Sequence, residues 1–222
     1  MTSLPCRGVL FDMDGVLVDS TAAVARVWSV WAQKHGLVAD AVVKIAHGRP
    51  SISTIHELLP ESDHEAEDRE VERMEIEDVE GIVALAGAAE LLRAIPANKY
   101  AIVTSATRAL AEVRLRAAGL AVPANLVTAR DVPRGKPNPD PYLMGAKILG
   151  VSPVDCAVIE DAPSGVRAGK AAGARVVALR TTATDAELQE AGADWIVKDC
   201  SELSINFAAP GEEFLLVARR IN

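Results

Sequence analysis

Two carboxylates, Asp12 and Asp14, follow directly on the apolar run Gly8-Val9-Leu10-Phe11, and Gly15 comes next. In an extended chain, residues two apart point the same way, so Asp12 and Asp14 share a side, and Gly15 lets the backbone turn tightly around whatever they hold. Two like charges so close require a cation. Further along, Val103-Thr104-Ser105-Ala106 ends an apolar run in hydroxyls and a small residue where a helix begins, which suits hydrogen bonding to a phosphate by side chain and backbone amide. Arg134-Gly135-Lys136-Pro137-Asn138-Pro139-Asp140-Pro141 holds a lysine in a proline-stiffened loop, so its ammonium can sit near a fixed point. Val158-Ile159-Glu160-Asp161 again ends an apolar run in carboxylates, hard oxygen donors of the kind magnesium takes. Singly, each group also fits a plainer role: a surface turn, a helix cap or a solvated lysine. Their common position at strand ends, in one order, is what argues for a site.

The elements that must carry these groups are short. Gly8 to Phe11, Tyr100 to Thr104, Leu126 to Thr128, Ala157 to Ile159 and Val176 to Leu179 read as buried strands. Helical stretches at Arg108 to Ala118, Pro141 to Leu149 and Gly165 to Ala172 separate most of them. The alternation predicts an α/β fold with a doubly wound parallel sheet, in which ligands bind beyond the carboxyl ends of the strands. Residues 21–86 break the alternation. No strand is evident there, and the segment reads as an inserted helical domain, with 1–20 and 87–222 forming the core. Its first helix is expected to start at Ser20 and stop at Gly36, with Val24, Val27, Trp28, Trp31 and Ala32 on one apolar stripe. Both tryptophans are therefore expected in a core. A second helix is expected over Ala39 to Ala46, and a short one before Pro60.

The formal net charge of the 222 residues is -8. Residues 61–80 account for -9 of it, with 11 acidic residues against Arg69 and Arg73, and read as a solvated helix. The remainder sums to +1, so the chain offers no field for nucleic acid or an anionic membrane. Cys6, Cys156 and Cys200 are odd in number and widely spaced, which points to a reducing cytoplasm rather than a disulfide framework. No apolar run reaches the roughly 18 residues of a membrane span, and the first residues do not read as a leader peptide.

Taken together, Asp12-x-Asp14, Ser105, Lys136 and Glu160-Asp161 resemble the four motifs of the haloacid dehalogenase superfamily, and the resemblance covers nearly the whole chain. More closely, His47-Gly48-Arg49, Glu80-Gly81-Ile82, Val103-Thr104-Ser105 and the stretch from Gly135 to Leu143 resemble sugar-phosphate and polyol-phosphate phosphatases, including those acting on 2-deoxyglucose 6-phosphate and glycerol phosphate. Two departures stand out: Ala86-Gly87 replaces a usual Pro-Gly, and Ala106 replaces a common glycine. The resemblance implies a Rossmann-like core with a helical cap and a magnesium-dependent phosphoric monoester hydrolase acting on a small phosphorylated metabolite. By the same resemblance Asp12 is the nucleophile, and Asp14 is the acid and then the base. Magnesium is held by Asp12, the Asp14 carbonyl and Asp161, with Glu160 as neighbour or outer ligand. Lys136, Ser105 and the Ala106 amide hold phosphate, while His47 and Arg49 in the cap meet the leaving group.

Three rivals define the boundaries of this reading. A dinucleotide-binding fold would place Gly-x-Gly-x-x-Gly after the first strand, where two carboxylates stand instead. A phospho-accepting receiver domain needs neither the helical insert nor this length. A phosphosugar mutase of the β-phosphoglucomutase type shares all four motifs and a similar cap, and differs only in isomerising its substrate.

Overall fold

A computed structural model describes residues 2–46, 49–207 and 214–218. Six parallel strands form the central sheet: β2 (Gly8–Phe11), β5 (Tyr100–Val103), β6 (Leu126–Val127), β7 (Cys156–Glu160), β8 (Arg175–Leu179) and β9 (Trp195–Val197). Their spatial order is β6-β5-β2-β7-β8-β9, so the chain winds outward in both directions from β2. β2 is buried along its length and pairs Phe11 with Ile102 on one side and with Ile159 on the other.

Strand alternation divides the apolar residues between two layers. Val9, Phe11, Ile102, Ile159 and Val177 face α5 (Ala88–Ala94) and α6 (Arg108–Ala117), where Leu91, Ala111 and Leu115 complete one core. Leu10, Val103, Val158 and Ala178 face α7 (Asp140–Leu149), α8 (Pro163–Ala171) and α9 (Asp185–Glu190), meeting Tyr142, Val166 and Leu188. Each fully buried aliphatic or phenylalanine side chain contributes roughly 1.5–3 kcal/mol, so covering both faces is what makes a sheet of such short strands stable. The fold is thus the expected doubly wound α/β sheet, with a helical insertion.

Between β2 and β5 the chain runs through α1 (Thr21–Lys34), α2 (Ala39–Ala46), α3 (Ser51–Leu58) and α4 (His64–Glu77). These four helices bury a separate cluster containing Val27, Trp28, Trp31, Val42, Ile55 and Val71. Both tryptophans are buried, packed edge to face at 5.2 Å between ring centroids, as their spacing predicted. The acidic helix α4 is held by Asp63, which accepts the Ala66 amide at its start, and by Arg73 pairing with Glu70 and Glu77.

Three expectations need correction. The insert is not free of strands: β3 (Val18–Asp19) pairs antiparallel with β4 (Val83–Ala84), drawing the ends of the helical segment together. Strands of two residues carry no readable periodicity. Nor is α4 simply solvated, because Glu75 is buried, and Asp68, Glu72 and Glu75, spaced i, i+4, i+7, lie on the face turned to the core. Finally, β1 (Thr2–Cys6), β11 (Phe214–Ala218) and β10 (Leu203–Phe207) form an unanticipated three-stranded antiparallel sheet.

Candidate active site

The carboxyl ends of β2, β5 and β7 open on a cavity of about 280 Å³, roofed by helices of the insertion. Its walls include Asp12, Asp14, Ser105, Ala106, Lys136 and Glu160 from the core and Arg49, Asp68, Glu72 and Glu75 from the helical segment.

Lys136 organises the floor. Its ammonium, buried to 4% side-chain exposure, donates to Asp12 Oδ1 at 2.6 Å, Glu160 Oε1 at 2.7 Å and the Val103 carbonyl at 3.1 Å. Burial alone would depress this ammonium, but Asp12 and Glu160 outweigh it and raise its pKa above the ordinary lysine value, so it is cationic at neutral pH. Glu160 has no oxygen to spare. Oε1 also accepts the Tyr142 hydroxyl at 2.6 Å, and Oε2 accepts the amides of Asp161 at 3.0 Å and Ala162 at 3.3 Å. Gly165 makes room for this carboxylate, since a Cβ there would lie 1.7 Å from Glu160 Oε1.

Asp161 differs. It is buried; Thr182 donates to its Oδ2, while Oδ1 is buried without a hydrogen-bond partner among the described residues. Carboxylate oxygens of Asp12, Glu160 and Asp161 lie within 4.8 Å of one another. Burial, then the Glu160 and Asp12 charges, push the Asp161 carboxyl well above the usual range; burial likewise raises Asp12 to about 7 despite Lys136. A cluster of hard oxygens that resists ionisation, with one buried oxygen left unpaired, fits a divalent cation that would supply the missing charge. With Glu160 fully engaged, Asp12 and Asp161 are the side chains free to hold it. Gly15 sits at φ +79°, and a Cβ there would fall 2.0 Å from Asp161 Oδ2, so glycine is required both for the turn and for the approach of Asp161.

Asp14 lines the cavity beside Asp12 but takes different partners. Ser20 donates to its Oδ1 at 2.6 Å, and Arg114 to its Oδ2 at 3.0 Å. Ser105 and Ala106 lie at the mouth of β5, where the Ala106 amide donates to Thr104 Oγ1 at 3.1 Å. Arg49 reaches the cavity wall and pairs with Glu57 at 2.9 Å, while His47 lies outside the described residues.

The structure therefore brings Asp12, Asp14, Ser105, Ala106, Lys136, Glu160, Asp161 and Arg49 to one place. Three participants went unread: Tyr142, Thr182 and Arg114. Arg114 had a signal, being a charged residue on the Leu110-Ala111-Leu115 stripe of α6, where a solvated helix face would not put it.

A doubly wound sheet whose strand ends gather two acidic pairs, a lysine and a serine has the groups a phosphate-handling enzyme requires. The chain belongs to the haloacid dehalogenase-like hydrolases, whose family pattern matches residues 6–173. It is 42% identical over 214 residues to hexitol phosphatase A of Escherichia coli, covering 93% of this chain and 97% of that one. Glycerol-1-phosphate phosphohydrolase 2 of Saccharomyces cerevisiae is 34% identical over 221 residues, covering 91% of this chain and 86% of that one. Among solved structures, a hydrolase from Pseudomonas syringae superposes with a TM-score of 0.78 at 28% identity, covering 87% of this chain and 94% of the other. Among the described residues no helix is long and apolar enough to cross a membrane.

Proposed function

We propose that the protein is a magnesium-dependent phosphatase of small polyol or sugar monophosphates, working through a phosphoryl group carried on Asp12. The observation that carries the reading is the Asp12 carboxylate, on the lining of a cavity with Asp14, bonded to the Lys136 ammonium and clustered within 4.8 Å with a carboxylate oxygen of Asp161. The relatedness to hexitol and glycerol phosphatases supports the substrate class.

Asp12 attacks phosphorus in line as the bond to the leaving oxygen breaks, and Asp14 delivers a proton to that oxygen. In the second half, Asp14 takes a proton from water as the water oxygen attacks phosphorus, and the bond to Asp12 breaks. Ser105, the Ala106 amide and Lys136 hold phosphate oxygens through both halves, Lys136 by giving up one of the three bonds it makes here. Ala106 must exchange its bond to Thr104 for one to phosphate. Magnesium, when bound, neutralises charge between the phosphate and the carboxylates. Asp12, Asp161 and the Asp14 carbonyl are its proposed ligands. Glu160 we assign to anchoring Lys136 rather than to the metal, because all its contacts are already made.

Residues 21–86 serve as a cap that selects the leaving group, a role we assign to Arg49, which lines the cavity, and, from the sequence resemblance alone, to His47. The relatedness to named phosphatases supports hydrolysis over a mutase reaction. On the cap wall, Glu72 and Glu75 are paired with Arg130 and Arg114 of the core, and Asp68 accepts from Ser51. Three cysteines, odd in number and widely spaced, support a reducing cytoplasm.

The test is a phosphate-release screen with magnesium. Hexitol, pentitol, glycerol and hexose monophosphates should outperform nucleoside monophosphates, chelation should stop release, and Arg49→Ala should lower kcat/KM on the polyol esters more than on p-nitrophenyl phosphate. A preference for nucleotides, or isomerisation without phosphate release, contradicts the proposal.

A further inference from the structure

Arg114 belongs to none of the motifs that point to the site, lies a hundred residues from Asp14 in sequence, and is nevertheless its principal partner. Its guanidinium, only 7% exposed, spans from Asp14 Oδ2, 3.0 Å from Nη1, to Glu75 Oε1 of α4, 3.3 Å from Nη2. Nε is buried without a partner. A buried cation held between two carboxylates has one fixed geometry, since breaking either contact strands a charge away from water. The planar fork suits that task as an ammonium would not.

The two oxygens of Asp14 are thereby unlike. Oδ2 is tied to a guanidinium that is itself pinned by Glu75, and Glu75 in turn draws on a hydrogen bond from Trp28. Among the described residues Oδ1 meets the Ser20 hydroxyl, which needs one bond rotation to release it. We propose that Arg114 is the positioning residue of the acid and base: it anchors Oδ2, leaving Oδ1 as the oxygen that exchanges protons with the substrate. In the first half-reaction the proton leaves Oδ1 for the departing oxygen as the bond from phosphorus to that oxygen breaks. In the second, a water proton arrives at Oδ1 as the water oxygen bonds phosphorus and the bond to Asp12 breaks. Arg114 takes no proton in either step; it fixes the direction of the carboxyl and balances its charge when ionised. Because the other arm of Arg114 ends on α4, the acid is in place only when this helix lies against the core. Glu72 of the same helix strengthens that seam, accepting from Thr107 and lying 3.7 Å from Arg130.

This inference rests on the proposed role of Asp14, but not on the identity of the metabolite, so two aryl esters of similar shape test it. p-Nitrophenyl phosphate releases a stable anion and needs little proton assistance, whereas phenyl phosphate needs it. Arg114→Met keeps the volume and removes the charge; Arg114→Lys keeps the charge and can reach Asp14. For Arg114→Met, kcat/KM on phenyl phosphate should fall about a hundredfold, against less than about fivefold on p-nitrophenyl phosphate. Its kcat should fall on both, since water activation is common to them. Arg114→Lys should recover kcat/KM on phenyl phosphate to within about tenfold of wild type. Should Arg114→Met not fold, the double variant Arg114→Met with Glu75→Gln, which removes the stranded cap carboxylate, serves for the same comparison. Equal losses on the two esters, or Lys behaving no better than Met, would show that Arg114 only packs, and overturns the inference. A wild-type protein active on aryl esters but on no polyol phosphate would instead overturn the substrate assignment and leave the Arg114 comparison standing. A wild type inactive on every ester would overturn both.

Discussion

Tyr142 illustrates how far a side chain can act from the chemistry it supports. Its hydroxyl donates to Glu160 Oε1, the oxygen that also accepts from Lys136, and its ring lies 5.2 Å from the ammonium. Removing that hydroxyl leaves Glu160 paired but less well held. Tyr142→Phe is therefore expected to cost about 1.5 kcal/mol, the lower end for a hydrogen bond to a charged group, and to raise KM for phosphate esters more than it lowers kcat. Urea denaturation and steady-state kinetics together check this; an unchanged midpoint would mean that Glu160 is fixed by Lys136 and the backbone amides alone. Three of the four motif groups were legible because each pairs a distinctive residue with the end of an apolar run, and Lys136 because it stands in a proline-stiffened loop. Tyr142 and Thr182 were not, since their meaning lies in which buried oxygen they reach, and only the tertiary structure sets that.

At the scale of elements, α8 lends Ser164 to the cavity lining, and its first turn also determines the floor's shape. Gly165 faces Glu160 so closely that any side chain displaces the carboxylate. Gly165→Ala should destabilise the protein by about 1–3 kcal/mol, as overpacking does, and release Lys136 from its position, lowering kcat/KM sharply. Activity and a melting midpoint like those of the wild type would show that Glu160 can move without consequence. Central strands and covering helices were readable from apolar runs and helical spacing. The sheet of β1, β10 and β11 was not, although Leu203-Ser204-Ile205-Asn206 alternates apolar and polar. It joins the two ends of the chain, β1 pairing with β11 from Thr2 opposite Ala218, and such nonlocal pairing has no signature in either segment. The acidic helix α4 was read by its total charge; its spacing of Asp68, Glu72 and Glu75 held the better information.

Across the whole molecule, the site places carboxyls largely out of bulk water, and this couples stability to pH and metal. Burial raises Asp12 to about 7, and raises Asp161 and Glu75 in the same direction. A carboxyl with a raised value in the folded state binds more protons folded than unfolded, from the unfolded value near 4 up to the folded one. Its stabilisation is full below that window and is lost as pH rises through it. In chelator, the melting midpoint should accordingly be lower at about pH 7.5 than this site alone would give at about pH 5, and magnesium should raise it more at the higher pH. A magnesium-induced rise equal at both pH values would detach the metal from these carboxyls.

The central claim is that Asp12 carries phosphate and Asp14 governs its release, and a rapid-quench pre-steady-state experiment on Asp14→Asn, with substrate in excess, tests it most directly. With p-nitrophenyl phosphate and magnesium, the first half-reaction needs little acid, while the second lacks its base. The account predicts a burst of nitrophenol stoichiometric with enzyme, followed by slow turnover, and peptide mass spectrometry of the acid-quenched sample should find phosphate on Asp12. No burst, or phosphate on any residue other than Asp12, would contradict it.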